Sequence, residues 1–435
     1  MAAAATFESA IPEHLRADRT VPARMPEGYA PPFPAFASHF PKKAADLVMA
    51  VIGAQYASQD DVDGVAREKL EAFAASKVEN APTYHDWASV TDPNGSYNLT
   101  MIAYWPSRDA YESWATGSGF KSWWEGIDPA AEEEEGGHGW FLEIFFPSVD
   151  RLETVFSHPG APEGVAYLQE SQAGPIKEHI YWGSMRDRLP VSQTDALEGT
   201  KDAPQSTTSS PSSPSSSSSN DNNKRIRVHG QKNLAVIRSG QDVSTTLPEE
   251  LELYNADLAP VLKRGMDFLR DQGDDVGCHS CRFMDVVSPA TLAADKKRTF
   301  GLAYFDDLAS LEAWSREHPT HLAIFGGFMQ YAQRLQGNIS LRLFHEVLVL
   351  TPEQQYFEYV GCHPATGMLR TARAAAAAVA SDDQEARQLE EQKTDAAAAA
   401  ATAPVGLVAS VAGKFRQLLQ AVKPSFMTPT RLKPA

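Results

Sequence analysis

Residues 303–314 read AYFDDLASLEAW, and residues 103–114 read AYWPSRDAYESW. The two stretches agree in Ala-Tyr-aromatic and in Glu-x-Trp at one spacing of 200 residues, and agreement at a fixed spacing is the mark of an internal repeat. Outward from the first copy, Tyr97 to Trp105 reads as a strand that runs into a helical segment, Ser107 to Glu125. Leu47 to Tyr56 reads as an earlier strand, Asp60 to Ser76 has helical spacing, and Gly139 to Pro147 closes the unit as a strand. In the second copy, Arg225 to Ser239 alternates like a strand that ends in a turn at Ser239-Gly240. A helix then opens at Pro319-Thr320, and Ile339 to Leu350 has the β-branched content of a returning strand. Each half therefore takes the order strand, helix, strand, helix, strand. Two copies of that order predict an α+β fold of duplicated ferredoxin-like units, like a dimeric α+β barrel, with facing antiparallel sheets and outer helices.

The two copies differ where chemistry is concerned. At the spacing of the repeat, Lys121 falls opposite His321, which follows His318 by three residues and opens the apolar run Leu322, Ile324, Phe325, Phe328, Met329. With period two, Ile339, Leu341, Leu343, His345, Val347 and Val349 share one face of the returning strand, apolar but for one imidazole. A buried imidazole needs a partner or a ligand, because an unpaired polar group in an apolar setting costs roughly 1–3 kcal/mol. From the residues alone, a core histidine bonded to a carbonyl and a metal or haem ligand both remain open.

A chain of 435 residues with 43% hydrophobic content is long enough for two domains. Its net charge of -17 argues against sequence-independent binding to nucleic acid, which needs a concentrated excess of Lys and Arg. Three cysteines, Cys278, Cys281 and Cys362, do not make a secreted disulfide framework, and they predict a reducing compartment. The first residues hold no apolar core of signal length, and no uninterrupted apolar stretch is long enough to span a bilayer. A soluble cytoplasmic protein with no stable membrane insertion is expected. Composition divides the chain into an extended arm rich in Pro and aromatics (1–42), a first repeat (43–195), a disordered Ser/Pro-rich insertion (196–225), a second repeat (226–370) and an Ala-rich tail (371–435). Glu132 to Glu135 reads as a solvated loop, and Val408 to Val422 has the spacing of an amphipathic basic helix.

Cys278-His279-Ser280-Cys281 has CxxC spacing, but a structural zinc needs four ligands and no second pair follows. Attachment of c-type haem would need His directly after the second cysteine, where Arg282 stands. No GxxxxGK[ST], GxGxxG after a strand, or GxSxG occurs in a supporting context, which removes the commonest nucleotide and hydrolase readings.

Seven separated blocks, in order, carry a resemblance to a known family. They are ESAIPEHLRADRTVPARMP, YWGSMRDRLPVSQTD, NLAVIRSGQD, GMDFLRD, WSREHPTHLAIF, LRLFHE and GCHPATGMLR. Together they resemble the aldoxime dehydratases, phenylacetaldoxime dehydratases among them, over residues 7–370 with the Ser-rich insertion as an interruption. The resemblance implies an enzyme carrying haem b, active with ferrous iron, that removes water from a small aldoxime to give a nitrile. It implies His321 as the axial haem ligand and His345 as the distal acid–base. Arg188 and Ser239 match other distal-pocket residues, and Glu153, in the less distinctive block RLETVF, matches an acidic residue that affects catalysis. A homodimer is left open. A haem-binding sensor, or a haem protein of peroxidase or chlorite-dismutase type, could use the same fold and the same His321. A gas sensor would not need the pair Ser239 and His345.

Overall fold

The computed structural model describes residues 7–129, 138–209, 225–288 and 290–372. Its early strands are β1 (Ala37–His39), β2 (Val48–Tyr56), β3 (Tyr84–Thr91), β4 (Tyr97–Trp105), β5 (Gly139–Phe145), β6 (Leu152–Phe156) and β7 (Ser171–Ala173). There follow β8 (Ser206–Ser209), β9 (Arg225–Val228), β10 (Leu234–Asp242), β11 (Cys278–Val287), β12 (Ala294–Phe305), β13 (Arg342–Leu350) and β14 (Gln355–Val360). The helices are α1 (Val65–Ala74), α2 (Arg108–Gly117), α3 (Phe120–Glu125) and α4 (Ser184–Arg188), then α5 (Pro248–Leu253), α6 (Ala259–Gln272), α7 (Leu308–Glu317) and α8 (Pro319–Arg334). Twelve strands form one sheet in the order β6-β13-β10-β12-β11-β3-β4-β2-β5-β14-β9-β8. Among the described residues no helix is long and apolar enough to cross a membrane.

The expected order lacked one strand in each half. The first half runs β2, α1, β3, β4, helix, β5, with sheet order β3-β4-β2-β5, and the second runs β10, helix, β11, β12, helix, β13, with sheet order β13-β10-β12-β11. The missed strands, β3 and β11, lack clean apolar alternation. Within β11 the buried Arg282 is charged, and it belongs inside only because Glu143 on β5 meets it at 2.7 Å. The stretch Arg225 to Ser239 is two strands, β9 beside β14 and β10 in the middle of the second half. Ser239-Gly240 is no turn. Both residues lie inside β10, and Gly240 has no side chain because a Cβ there would stand 2.3 Å from the ring of Phe344 on β13. The corresponding Gly53 on β2 gives way to Phe141 on β5, where a Cβ would stand 2.1 Å from the ring.

The repeated stretch that opens the chain's reading is a strand end plus a capped helix. Ser107 accepts a hydrogen bond from the Ala110 N–H at the start of α2, and Asp307 accepts one from the Ser310 N–H at the start of α7. The single helix expected over Ser107 to Glu125 breaks into α2 and α3 at Gly119, whose φ is 82°. Strands β2, β4 and β5 are buried on both faces. Ala50, Ile52 and Ala54 pack under α1 to α3, while Met49, Val51, Ile102 and Phe141 share a cluster with Val236, Met284, Phe300, Leu302 and Leu348 of the second half. Inside that shared cluster the Tyr104 hydroxyl donates to Glu346 at 2.5 Å and the Tyr304 hydroxyl donates to Glu143 at 2.5 Å.

The edges of the expected insertion are part of the fold. Leu197 is fully buried, and β8 pairs with β9 in a register that sets Ser209 opposite Arg225. The Ser-rich centre of the insertion, the acidic run Glu132 to Glu135 and the tail segment Val408 to Val422 lie outside the described residues.

Candidate functional site

Three successive charged residues of α4 are all buried, and each is tied to a different part of the chain. Arg186 forks onto Glu312 of α7, with its closest contact at 2.8 Å. Asp187 accepts from the backbone N–H groups of Arg24 and Met25 in the N-terminal arm and from the Tyr181 hydroxyl. Arg188 forks onto Glu153, Nε to Oε2 at 2.6 Å and Nη2 to Oε1 at 3.0 Å, and its Nη1 donates to the Glu178 carbonyl at 2.7 Å. The short helix starts at Gly183, which has a φ of 100° and stands against Arg24, so the arm fits only over a residue without a side chain.

Glu153 lies on β6, opposite Val347 of β13, and so shares a sheet face with His345 two residues earlier on β13. The two side chains meet, with His345 Nε2 at 2.9 Å from Glu153 Oε1 and at 2.9 Å from Arg188 Nη2. Arg188 can only donate and an ionised Glu153 can only accept. The ring nitrogen between them therefore has a partner in either state, accepting from Arg188 when bare and donating to Glu153 when protonated. Burial alone would raise the Glu153 pKa, but the charges and hydrogen bonds of Arg188 and His345 outweigh it and bring the carboxyl down to about 2. Ser239 sits directly across from His345 in the β10–β13 pairing, with its side chain exposed. His345 Nδ1 has no protein partner among the described residues.

His321 lies in the first turn of α8, which starts at Pro319 as the sequence predicts. Its ring packs edge-on against Trp314 of α7 at 4.8 Å, and Trp314 belongs to the cluster that covers Val347, Val349 and Ile237 on the His345 face of the sheet. Burial lowers the His321 pKa, opposed by a hydrogen bond to the Ser315 backbone, so the ring is neutral near pH 7. Its Nδ1 is buried with no hydrogen-bond partner. A buried imidazole nitrogen without a protein partner is one that a ligand can satisfy. Along the same helix Leu322, Phe325 and Met329 stay 41%, 36% and 38% exposed, an apolar stripe suited to the flat face of a porphyrin. These residues fit a haem held on His321.

Other candidates resolve differently. Cys278 and Cys281 are buried free thiols whose pKa values are raised by burial. Among the described residues no group of three or more His, Cys, Asp or Glu could hold a bare metal ion. His318 caps α8 through Thr320 and stacks on Phe268 at 4.0 Å. The structure also brings in His179, which sequence reasoning missed. It is half-buried, and burial together with the charges of Arg188 and His345 lowers its pKa to about 3. No periodicity surrounds it, and nearness in sequence to the RDRLP block was its only signal.

A haem-containing dehydratase family model matches residues 50–368. The chain is 36% identical to the aliphatic aldoxime dehydratase of Rhodococcus globerulus over 366 residues, 84% of this chain and 98% of that protein. It is 36% identical to the aliphatic aldoxime dehydratase of Pseudomonas chlororaphis, over 85% of this chain and 99% of that one. To the phenylacetaldoxime dehydratase of Bacillus sp. (strain OxB-1) it is 30% identical, over 79% and 93%. A crystal structure of an aldoxime dehydratase in complex with butyraldoxime superposes with a TM-score of 0.75 at 35% identity, covering 84% of this chain and 97% of that one. The mixed architecture of a large antiparallel sheet and several helices is shared with that structure. By sequence over most of its length and by fold, the chain belongs to the haem-containing dehydratases.

Proposed function

We propose that this chain is an aldoxime dehydratase, a lyase that converts aldoximes to nitriles with loss of water on a ferrous haem b. Membership of the family carries the activity; the observation that carries the site is the imidazole of His345 held between Glu153 and Arg188 and facing Ser239. Bound on His321, the haem supplies an electron-rich Lewis acid for the oxime nitrogen. The residues of the chain do the rest. Hydroxide is a poor leaving group, so the reaction needs a positioned acid, which is worth roughly 10²–10⁴-fold. His345 Nδ1 is the free ring nitrogen and delivers the proton, while Glu153 accepts from Nε2 and stabilises the charged ring. Arg188 keeps Glu153 ionised and in place, and Ser239 hydrogen-bonds the oxime hydroxyl.

The same proposal includes the finer architecture. The strand orders of the two halves, the matching Gly53–Phe141 and Gly240–Phe344 pairs and the shared apolar cluster support duplicated ferredoxin-like units with facing sheets. The division into arm (1–42), first unit (43–195), insertion (196–225), second unit (226–370) and tail (371–435) goes with it. Three buried free thiols support a cytoplasmic setting, and sedimentation of the holoprotein decides between a monomer and a homodimer.

The test is the visible spectrum of the purified protein, ferric and then reduced, with an aldoxime added, followed by assay for the nitrile. A haem Soret band, a shift of the reduced spectrum on adding aldoxime, and nitrile formation are expected. A reduced holoprotein that neither shifts nor forms nitrile overturns the reading.

A further inference from the structure

We propose that Glu178 is a positioning residue for the acid of the site: the N-terminal arm docks on its carboxylate, and its backbone carbonyl thereby aims Arg188 at Glu153 and His345. This rests on the reading of the site as that of an aldoxime dehydratase.

The guanidinium of Arg188 is a rigid planar fork, so its direction is set by all the acceptors it meets together. Nε and Nη2 meet Glu153, Nη2 also meets His345, and Nη1 donates to the Glu178 carbonyl at 2.7 Å. Whatever holds that carbonyl therefore decides where the fork stands. Between β7 and α4 the chain has no regular structure apart from one isolated bridge, and its backbone groups find partners in the arm instead. Glu8 forms that bridge with Ile176: the Glu8 N–H donates to the Pro175 carbonyl at 3.0 Å, and the Lys177 N–H donates to the Glu8 carbonyl at 2.9 Å. From the far end of the arm, the Ala35 carbonyl accepts from the Ile176 N–H at 2.9 Å. The buried Glu178 completes the docking, because its carboxylate accepts from the Ala10 N–H at 2.9 Å and from the Ser9 hydroxyl at 3.1 Å. One residue thus takes the arm on its side chain and Arg188 on its backbone.

The arm also closes the site from behind. Ala10, Pro12 and Leu15 line a cavity of about 30 Å³ together with Glu153 and Arg188, room for about one water. Behind that cover the side chains of Arg188 and Glu153 are 2% and 1% exposed. Without the Glu178 carboxylate the arm loses its hold at Ser9 and Ala10, and the carbonyl that steadies Nη1 is free to drift. A displacement of about 1 Å in a catalytic group costs up to about 10²-fold in rate. The loss falls on the chemical step, because neither Glu178 nor the arm's contacts with it touch His321.

The experiment is a double-mutant cycle on the full-length reduced holoenzyme, comparing wild type, E178A, R188Q and E178A/R188Q by single-turnover mixing with an aldoxime. We expect E178A to retain haem and the aldoxime-induced spectral shift, to be cut faster by trypsin at Arg16 or Arg19 in the arm, and to turn over about tenfold more slowly with KM within about threefold. On the R188Q background the same change should cost less than about twofold, because Glu178 acts through Arg188. E178Q, whose amide oxygen still accepts from Ala10, should stay within about threefold of wild type. Should E178A not fold, E178D, one methylene short of Ala10, takes its place in the cycle. Equal losses on the two backgrounds, or a wild-type rate in the variant that enters the cycle, overturn the role of Glu178. A wild-type holoenzyme that forms no nitrile overturns the underlying assignment instead.

Discussion

Glu153 and His345, 192 residues apart in sequence, share a hydrogen bond of 2.9 Å between adjacent strands. In the proposed mechanism this bond orients the acid through Nε2 and leaves Nδ1 for the substrate. His345→Asn keeps a group of similar size and removes the proton. Haem content and the aldoxime-induced shift of the ferrous spectrum should be near normal, with kcat lower by roughly 10²-fold or more. Stopped-flow mixing of the reduced variant with aldoxime checks this; decay to nitrile at the wild-type rate would make His345 a core histidine.

Ser239 should behave differently from its cross-strand neighbour. In the proposed role its hydroxyl holds the substrate more than it reacts, so Ser239→Ala should raise KM more than it lowers kcat, as steady-state kinetics on the two parameters would reveal.

Glu153→Gln leaves Arg188 without its countercharge in a site where both side chains are almost fully buried. Breaking such a pair costs about 3–5 kcal/mol, read as a lower urea midpoint. The pH dependence follows from a carboxyl lowered to about 2 from an ordinary value of 4.5. A depressed folded-state pKa contributes stability that is complete above the unfolded value and is lost as pH falls from there through about 2. The wild-type midpoint should therefore drop over that acid range, and the variant's should drop less. Parallel curves would show that Glu153 is not the group responsible.

His321→Ala should abolish stable haem incorporation with little effect on folding, because α8 remains capped by His318 and packed through the fully buried Tyr331. Circular dichroism and the Soret band measure the two effects separately. Full haem occupancy with an unchanged Soret band would refute the assignment of the axial ligand.

Ser209 and Arg225 are register partners, so the ends of the chain between them are already side by side. Replacing residues 210–224 by a short Gly-Ser turn should change stability little, since loop closure varies by only about 0.6 kcal/mol per doubling of length. A large fall in melting temperature or in turnover would show that this segment contributes contacts of its own.

How much of this was legible depended on the physics of each element. Tyr97–Trp105 and the Pro319 start of α8 were readable because burial, periodicity and capping are local in sequence. β11 was not, because its buried Arg282 is paid for by Glu143, 139 residues away. For the same reason periodicity put His345 on an inner face but was silent on Glu153 and Arg188, which reach it from β6 and α4. The roles of those residues came from the family resemblance, and their contact came from the fold. Ser239-Gly240 misled because Gly serves turns and close ring approach alike, and only Phe344 shows which applies.

The crossed tyrosine–glutamate contacts tie the strands before the insertion to those after it. Each side-chain hydrogen bond that Glu143 accepts among the described residues comes from beyond the insertion, from Arg282, Tyr304 and Tyr359. Glu346, next in sequence to His345, is answered from before it by the Tyr104 hydroxyl and the Val165 N–H. Cut the chain in two and Glu143 loses Arg282, Tyr304 and Tyr359, while Glu346 keeps Arg238 at 3.6 Å but loses Tyr104 and Val165, so each half buries a carboxylate whose hydrogen bonds the other half completes.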